Sequence, residues 1–242
     1  MITGNDQHTP MQLFTHPLVH NPLKVELVLY CIAEESPELA PQILRIERRQ
    51  IALEQMEQRQ PQYLDINPNG RLPSLIHGEL TLWESNAIAQ YLANIFDSQL
   101  WPQDPGQQAS VLRWCHWESS CWNPVVGPIL LNQFYLPFWG MQGDTERLDK
   151  ARKKFAGVAK ILDNQLQKTL YLTGKAPTLA DLCIGAALLH TDRAKLDLTP
   201  FPALHYWYQR LAVHAWWQTT RSQVADFQRR VAVKSEANGV NA

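Results

Sequence analysis

Asn67-Pro68-Asn69-Gly70-Arg71-Leu72-Pro73-Ser74-Leu75-Ile76-His77-Gly78-Glu79-Leu80-Thr81-Leu82-Trp83-Glu84-Ser85 is the stretch on which the fold turns. Its opening is punctuated by Pro, Asn and Gly, the residues that set turn dihedrals or bond back to their own backbone. Two short apolar runs then flank His77-Gly78, which predicts a pair of strands joined by a tight turn. The following NAIAQYLANIF, residues 86–96, has helical spacing, and Ser85 is a natural N-cap for it.

Upstream, MQLFT (11–15) predicts a strand, and the turn-prone HPLVHNP leads into the apolar-periodic KVELVLYCIA. Asn21 suits the N-cap and Pro22 the first helical position, since the N–H that proline lacks is one of the unpaired ones there. QILRI (42–46) predicts a second strand, and residues 51–66 are polar and helical or irregular. The order is strand-helix-strand, helix, strand-strand-helix.

Downstream, WPQDPGQQ (101–108) interrupts the apolar periodicity and marks a domain boundary. Beyond it strand signals nearly vanish. Helices are predicted over 109–122, 144–169, 178–192, 202–213 and 216–229, so this half is all-α. Thr178 followed three residues later by Asp181 predicts a capping box. The expected domains are 11–100 and 109–230, with 1–10 and 234–242 disordered because they have little to bury. Residues 119–143 carry no formal charge but hold three prolines and three glycines, which argues against one continuous helix. They read either as a buried kinked connection or as the wall of an apolar pocket between the domains, where Trp114, Trp117 and Trp122 cluster.

Composition narrows the function classes. The 242 residues are 45% hydrophobic and 19% charged, with 22 Lys+Arg against 23 Asp+Glu, so the basic excess that neutralises phosphates is missing. Nucleic acid is not an expected partner. No window reaches the roughly 18 unbroken apolar residues of a membrane span, and MITGNDQHTP has neither the basic nor the apolar part of a secretory signal. The four cysteines fall in no metal-ligand spacing and read as buried, reduced thiols of a cytosolic protein.

A small α/β domain followed by an all-helical one resembles the cytosolic glutathione transferase family. Three motifs carry the likeness: Asn67 to Leu75, similar to the loop before that family's third strand; Trp83-Glu84-Ser85-Asn86-Ala87-Ile88, similar to its Glu-Ser step; and Thr178-Leu179-Ala180-Asp181, similar to its helical capping box. The resemblance implies a thioredoxin-like N-terminal domain, a cis bond at Leu72-Pro73, and glutathione as co-substrate with no metal. Leu72 and Pro73 would then offer main-chain groups to the cysteinyl residue. Ser85 would take the γ-glutamyl carboxylate and Glu84 its ammonium. Gln58 and Arg59 lie where polar groups meet the glycyl carboxylate, although a solvated helix face explains them as well. Asp104 is a candidate for the acidic group that such sites borrow from a partner subunit.

The first loop departs from the pattern, because Val19 stands where many members carry the catalytic serine. An asparagine-containing bacterial type is the nearer match, which makes Asn21 the candidate to stabilise the thiolate, with Thr15, His16 and His20 as alternatives. Capping and donation compete for Asn21, although its oxygen can cap while its NH₂ donates. The implied enzyme is a cytoplasmic homodimer acting on a small apolar electrophile or a disulfide. The alternative is a non-catalytic interaction module like the N-terminal part of elongation factor 1 gamma, whose wording resembles Glu84 to Ile88.

Overall fold

The computed structural model describes residues 10–237. The chain divides into two compact units between Trp101 and Pro102.

In the first unit, β1 (Met11–Thr15) leads through a loop into α1 (His20–Glu35). There follow α2 (Ala40–Arg45), β2 (Glu47–Gln50), two turns of 3₁₀ helix, α3 (Pro61–Leu64), β3 (Ser74–His77), β4 (Leu80–Trp83) and α4 (Ser85–Ile95). The sheet order is β2-β1-β3-β4, with β2 parallel to β1, and β3 antiparallel to both β1 and β4. β1 is central and buried on both faces, with Leu13 at 0% and Phe14 at 2% exposure. The two strands predicted around His77-Gly78 are β3 and β4, with Gly78 at φ +58° in the turn. The sheet and its helices form the thioredoxin-like arrangement.

Three boundaries differ from expectation. The predicted strand 42–46 is mostly α2, and the strand beside β1 is the polar Glu47–Gln50. An edge strand pairs on one side only and here exposes most of its side chains, so it leaves no apolar alternation to read. α1 begins at His20 with Val19 in the N-cap position, so Asn21 lies inside the first turn and does not cap. Ser85 is likewise the first residue of α4, and the N-cap position belongs to Glu84.

In the second unit, Pro105 to Phe138 is helical throughout: α5 (Pro105–Trp117), α6 (Asn123–Leu130) and α7 (Leu136–Phe138) are joined by π turns at Glu118–Trp122 and Leu131–Tyr135. The expectation that the prolines forbid a continuous helix is therefore corrected. The two π turns close with i→i−5 bonds, Asn123 N–H to Glu118 and Leu136 N–H to Leu131, and the wider turns lie between the prolines. Pro128, inside α6, has its carbonyl bonded by Asn132 Nδ2 at 2.8 Å.

α8 (Thr145–Leu166), α9 (Leu179–Gly185), α10 (Thr191–Ala194), α11 (Pro202–Ala212) and α12 (Ala215–Ala237) complete the unit around the fully buried Trp122, Trp207 and Trp217. The Thr178–Asp181 capping box forms. Disorder was expected from Lys234, but α12 continues to Ala237, through residues that favour helix. Residues 1–9 and 238–242, the rest of the expected tails, lie outside the described residues. No helix among the described residues is long and apolar enough to cross a membrane.

Candidate active site

Strand register brings the first unit's candidates together. Phe14 pairs with Ser74, and Ser74 with Trp83. One residue further along, the same register sets Thr15 opposite Pro73 and Pro73 opposite Glu84. The carboxyl ends of β1 and β4 and the amino end of β3 thus meet at one end of the sheet. β2 ends there too, with Ile51 N–H donating to Thr15 O at 3.1 Å.

The loop entering β3 is held by buried polar groups. The Tyr63 hydroxyl lies 2.7 Å from Arg71 O and 2.8 Å from Ser74 Oγ, and Asn67 Nδ2 donates to Arg71 O at 2.8 Å. Burial pushes the Tyr63 phenol up to about 12, so it stays protonated as a donor. Gly70, at φ +56°, is required twice over: a Cβ there would meet Gln58 O at 2.8 Å and the Arg59 guanidinium at 2.9 Å. Leu72-Pro73 is cis. The main-chain N–H and C=O of Leu72 enter no hydrogen bond among the described residues, so both are available to an extended peptide.

Glu84 is exposed and adopts φ +75°, a conformation that costs a non-glycine residue about 1–3 kcal/mol and that clusters at ligand sites. Behind it the helical ladder starts with Ile88 N–H to Glu84 O at 3.0 Å, leaving the first-turn N–H groups and the positive end of α4 beside Ser85. Ser85 is 7% exposed, and its Oγ accepts from Lys24 Nζ at 3.0 Å.

In the first loop, Thr15 Oγ1 and Asn21 Oδ1 are buried and have no hydrogen-bond partner among the described residues. His16 Nδ1 accepts from Leu18 N–H at 3.1 Å, and burial lowers its pKa to about 4. A neutral ring that shapes the turn brings no positive charge to a thiolate. His20, at the start of α1, is 6% exposed.

The remaining candidates each have their own surroundings. Arg59 donates to Asn69 O at 3.2 Å, and Gln58 Oε1 is buried without a partner among the described residues. Asp104, in the second unit, caps α5 by accepting from Gln107 N–H at 2.8 Å. Trp122 is interior at 0% exposure, against Phe155, while Trp114 packs edge-on to the half-buried Trp117. Cys121 is half-buried rather than buried like the other three cysteines.

Lys24, which bonds the candidate Ser85, is a residue that the sequence reading missed. α1 is buried continuously from Pro22 to Leu29, and that run includes Lys24 and Glu26. Two charges two residues apart in a run otherwise buried and apolar are the available signal, since charges buried there need partners. Glu26 finds Arg48 at 3.3 Å, and Lys24 finds Ser85 and Asn86.

The comparisons with known proteins agree with this architecture. The family models described as "Glutathione S-transferase, N-terminal domain" and "Glutathione S-transferase, C-terminal domain" match residues 10–94 and 122–215. Glutathione S-transferase F10 of Arabidopsis thaliana is 31% identical over 172 residues, covering 70% of this chain and 77% of that one. Glutathione transferase F7 from Populus trichocarpa superposes with TM-score 0.78 at 25% identity, over 88% of this chain and 99% of that one. The theta class enzyme of Xanthomonas axonopodis pv. citri, solved with glutathione bound, has TM-score 0.72 at 27% identity over 88% and 97%. With its two units matched in order and its strand-end motifs in place, this chain belongs to the glutathione S-transferase family.

Proposed function

We propose that the chain is a glutathione transferase that binds glutathione at this end of the sheet and uses its thiolate to attack a small apolar electrophile or a disulfide. The observation that carries this is the unpaired N–H and C=O of Leu72, on the same sheet end as Ser85 and the start of α4. Leu72 pairs with the cysteinyl residue and Pro73 holds it in place. Ser85 takes the γ-glutamyl carboxylate, Glu84 the ammonium, and Gln58 and Arg59 border the glycyl end. A thiol near pKa 8.5 is mostly protonated at neutral pH, so the site must stabilise S⁻. Asn21, free of capping, and the unpartnered Thr15 hydroxyl supply that donor, with His20 next in reach.

Trp114 and Trp117, backed by Trp122, favour an apolar second substrate. We also assign a cytoplasmic homodimer: the edge strand β4 exposes Leu80 at 39% and Trp83 at 42%, and two-fold pairing is the commonest oligomer. Asp104 keeps one carboxylate oxygen for a partner's ligand. Glutathione at a hundredfold excess over Kd should stabilise the protein by about 2.7 kcal/mol, and Ser85→Ala should remove most of that gain. An unchanged Tm in millimolar glutathione would instead favour the interaction-module reading, to which Val19 in place of the serine already lends weight.

A further inference from the structure

Lys24 is 1% exposed in α1, and its Nζ donates to Ser85 Oγ at 3.0 Å and to Asn86 Oδ1 at 2.7 Å. The contact spans 61 residues of sequence and joins two helices at the end of the sheet. Burying an ammonium is unfavourable in itself. Here it also faces the start of α4, where the first-turn N–H groups form the positive end of the helix dipole. A cation placed at that end is stabilised when an anion binds in front of it. A serine hydroxyl has one donor and two acceptor positions. With one acceptor position held by Lys24, the Ser85 proton is left to point elsewhere, toward an incoming acceptor.

From this geometry we propose that Lys24 is a positioning residue for the γ-glutamyl carboxylate, orienting the Ser85 hydroxyl as a donor and setting a positive charge behind it. The proposal rests on the glutathione reading above. Lys24 acts through Ser85 and Asn86, at the start of α4. Its removal should therefore weaken capture of one carboxylate and leave the sulfur chemistry largely in place.

The test compares glutathione with γ-aminobutyryl-cysteinylglycine, which lacks only the γ-glutamyl α-carboxylate, by calorimetric titration of the full chain. Lys24→Met should weaken glutathione about tenfold, the scale of one charge-assisted hydrogen bond, while the analogue shifts by less than about twofold. In turnover, KM for glutathione should rise about tenfold while kcat falls by less than about threefold. Equal losses for the two ligands, or no loss for glutathione, would overturn the role of Lys24 and leave the glutathione reading standing. Failure of the unmutated protein to bind glutathione would overturn both. Should Lys24→Met not fold, Lys24→Gln carries the same test, since it keeps a donor to Ser85 and removes the charge. It too must lose affinity for glutathione and not for the analogue.

Discussion

The two buried aspartates of the helical unit and the polar groups at the end of the sheet are satisfied to different extents. In the helical unit, buried carboxylates are saturated by groups that begin helices or anchor their loops. Asp181, at 0% exposure, accepts from the N–H groups of Leu172 and Thr178, from Trp207 Nε1 and from Thr178 Oγ1. Asp163, at 1%, accepts from the N–H groups of Ala203 and Leu204 at the start of α11 and from Lys160 and Gln167. In the strand-bearing unit, the groups at the sheet end stop short of saturation: Thr15 Oγ1, Asn21 Oδ1 and the main chain of Leu72 lack partners among the described residues. A saturated buried group stabilises, whereas an unsaturated one calls for an explanation, which the proposed glutathione site supplies at the end of the sheet.

The largest expected effect tests the saturated side. Asp181→Ala leaves three N–H donors, two of them buried, without an acceptor and should cost about 3–5 kcal/mol in denaturant unfolding. A loss below about 1 kcal/mol would break the contrast between these aspartates and the sheet end. Burial pushes the Asp181 carboxyl up to about 6, above its ordinary 3.8. Its contribution is therefore fullest below about pH 4 and falls as pH rises through 6, so the gap between parent and variant should widen on acidification.

His16 should respond with the opposite sign. Burial holds its folded pKa near 4 against 6.5, so protonation favours the unfolded chain. Stability is whole above about pH 6.5 and declines by about 3 kcal/mol as pH falls to 4. His16→Asn, which keeps an acceptor for Leu18 N–H, should flatten that acid limb. An unaltered limb would place the titrating group elsewhere.

Asn21→Ala is the smallest perturbation of stability and the sharpest of function. Because Val19 and not Asn21 holds the N-cap position, unfolding free energy should change by less than about 0.5 kcal/mol. Turnover should fall, with the apparent thiol pKa raised in its pH profile. An unmoved pKa would assign the thiolate donor to Thr15.

Much of the fold is legible in the chain because its signals are local. Gly78 between two apolar runs specifies a hairpin, and Thr178 with Asp181 specifies a helix start within four residues. β2 was missed because an edge strand needs no apolar face. The helical run through Pro124, Pro128 and Pro137 was missed because π turns absorb what an α-helix cannot. Motif wording singles out Leu72, Pro73, Glu84 and Ser85 as candidates, while the helix starts at α1 and α4 are each displaced from the residue best suited to cap them. Capping preference is worth only about 1 kcal/mol and yields to packing that is worth more.

The sequence by itself determined the order of elements, the all-helical second half, the hairpin, the capping box and the family's loop and Glu-Ser wording, each set by interactions between residues a few positions apart. Tertiary structure alone decided which polar atoms are left without partners and which are not. Lys24 meets Ser85 only because α1 and α4 begin at the same end of the sheet, and Thr15 comes opposite Pro73 only through the pairing of β1 with β3. Such contacts depend on the burial of distant segments against one another, and local propensity carries no record of that.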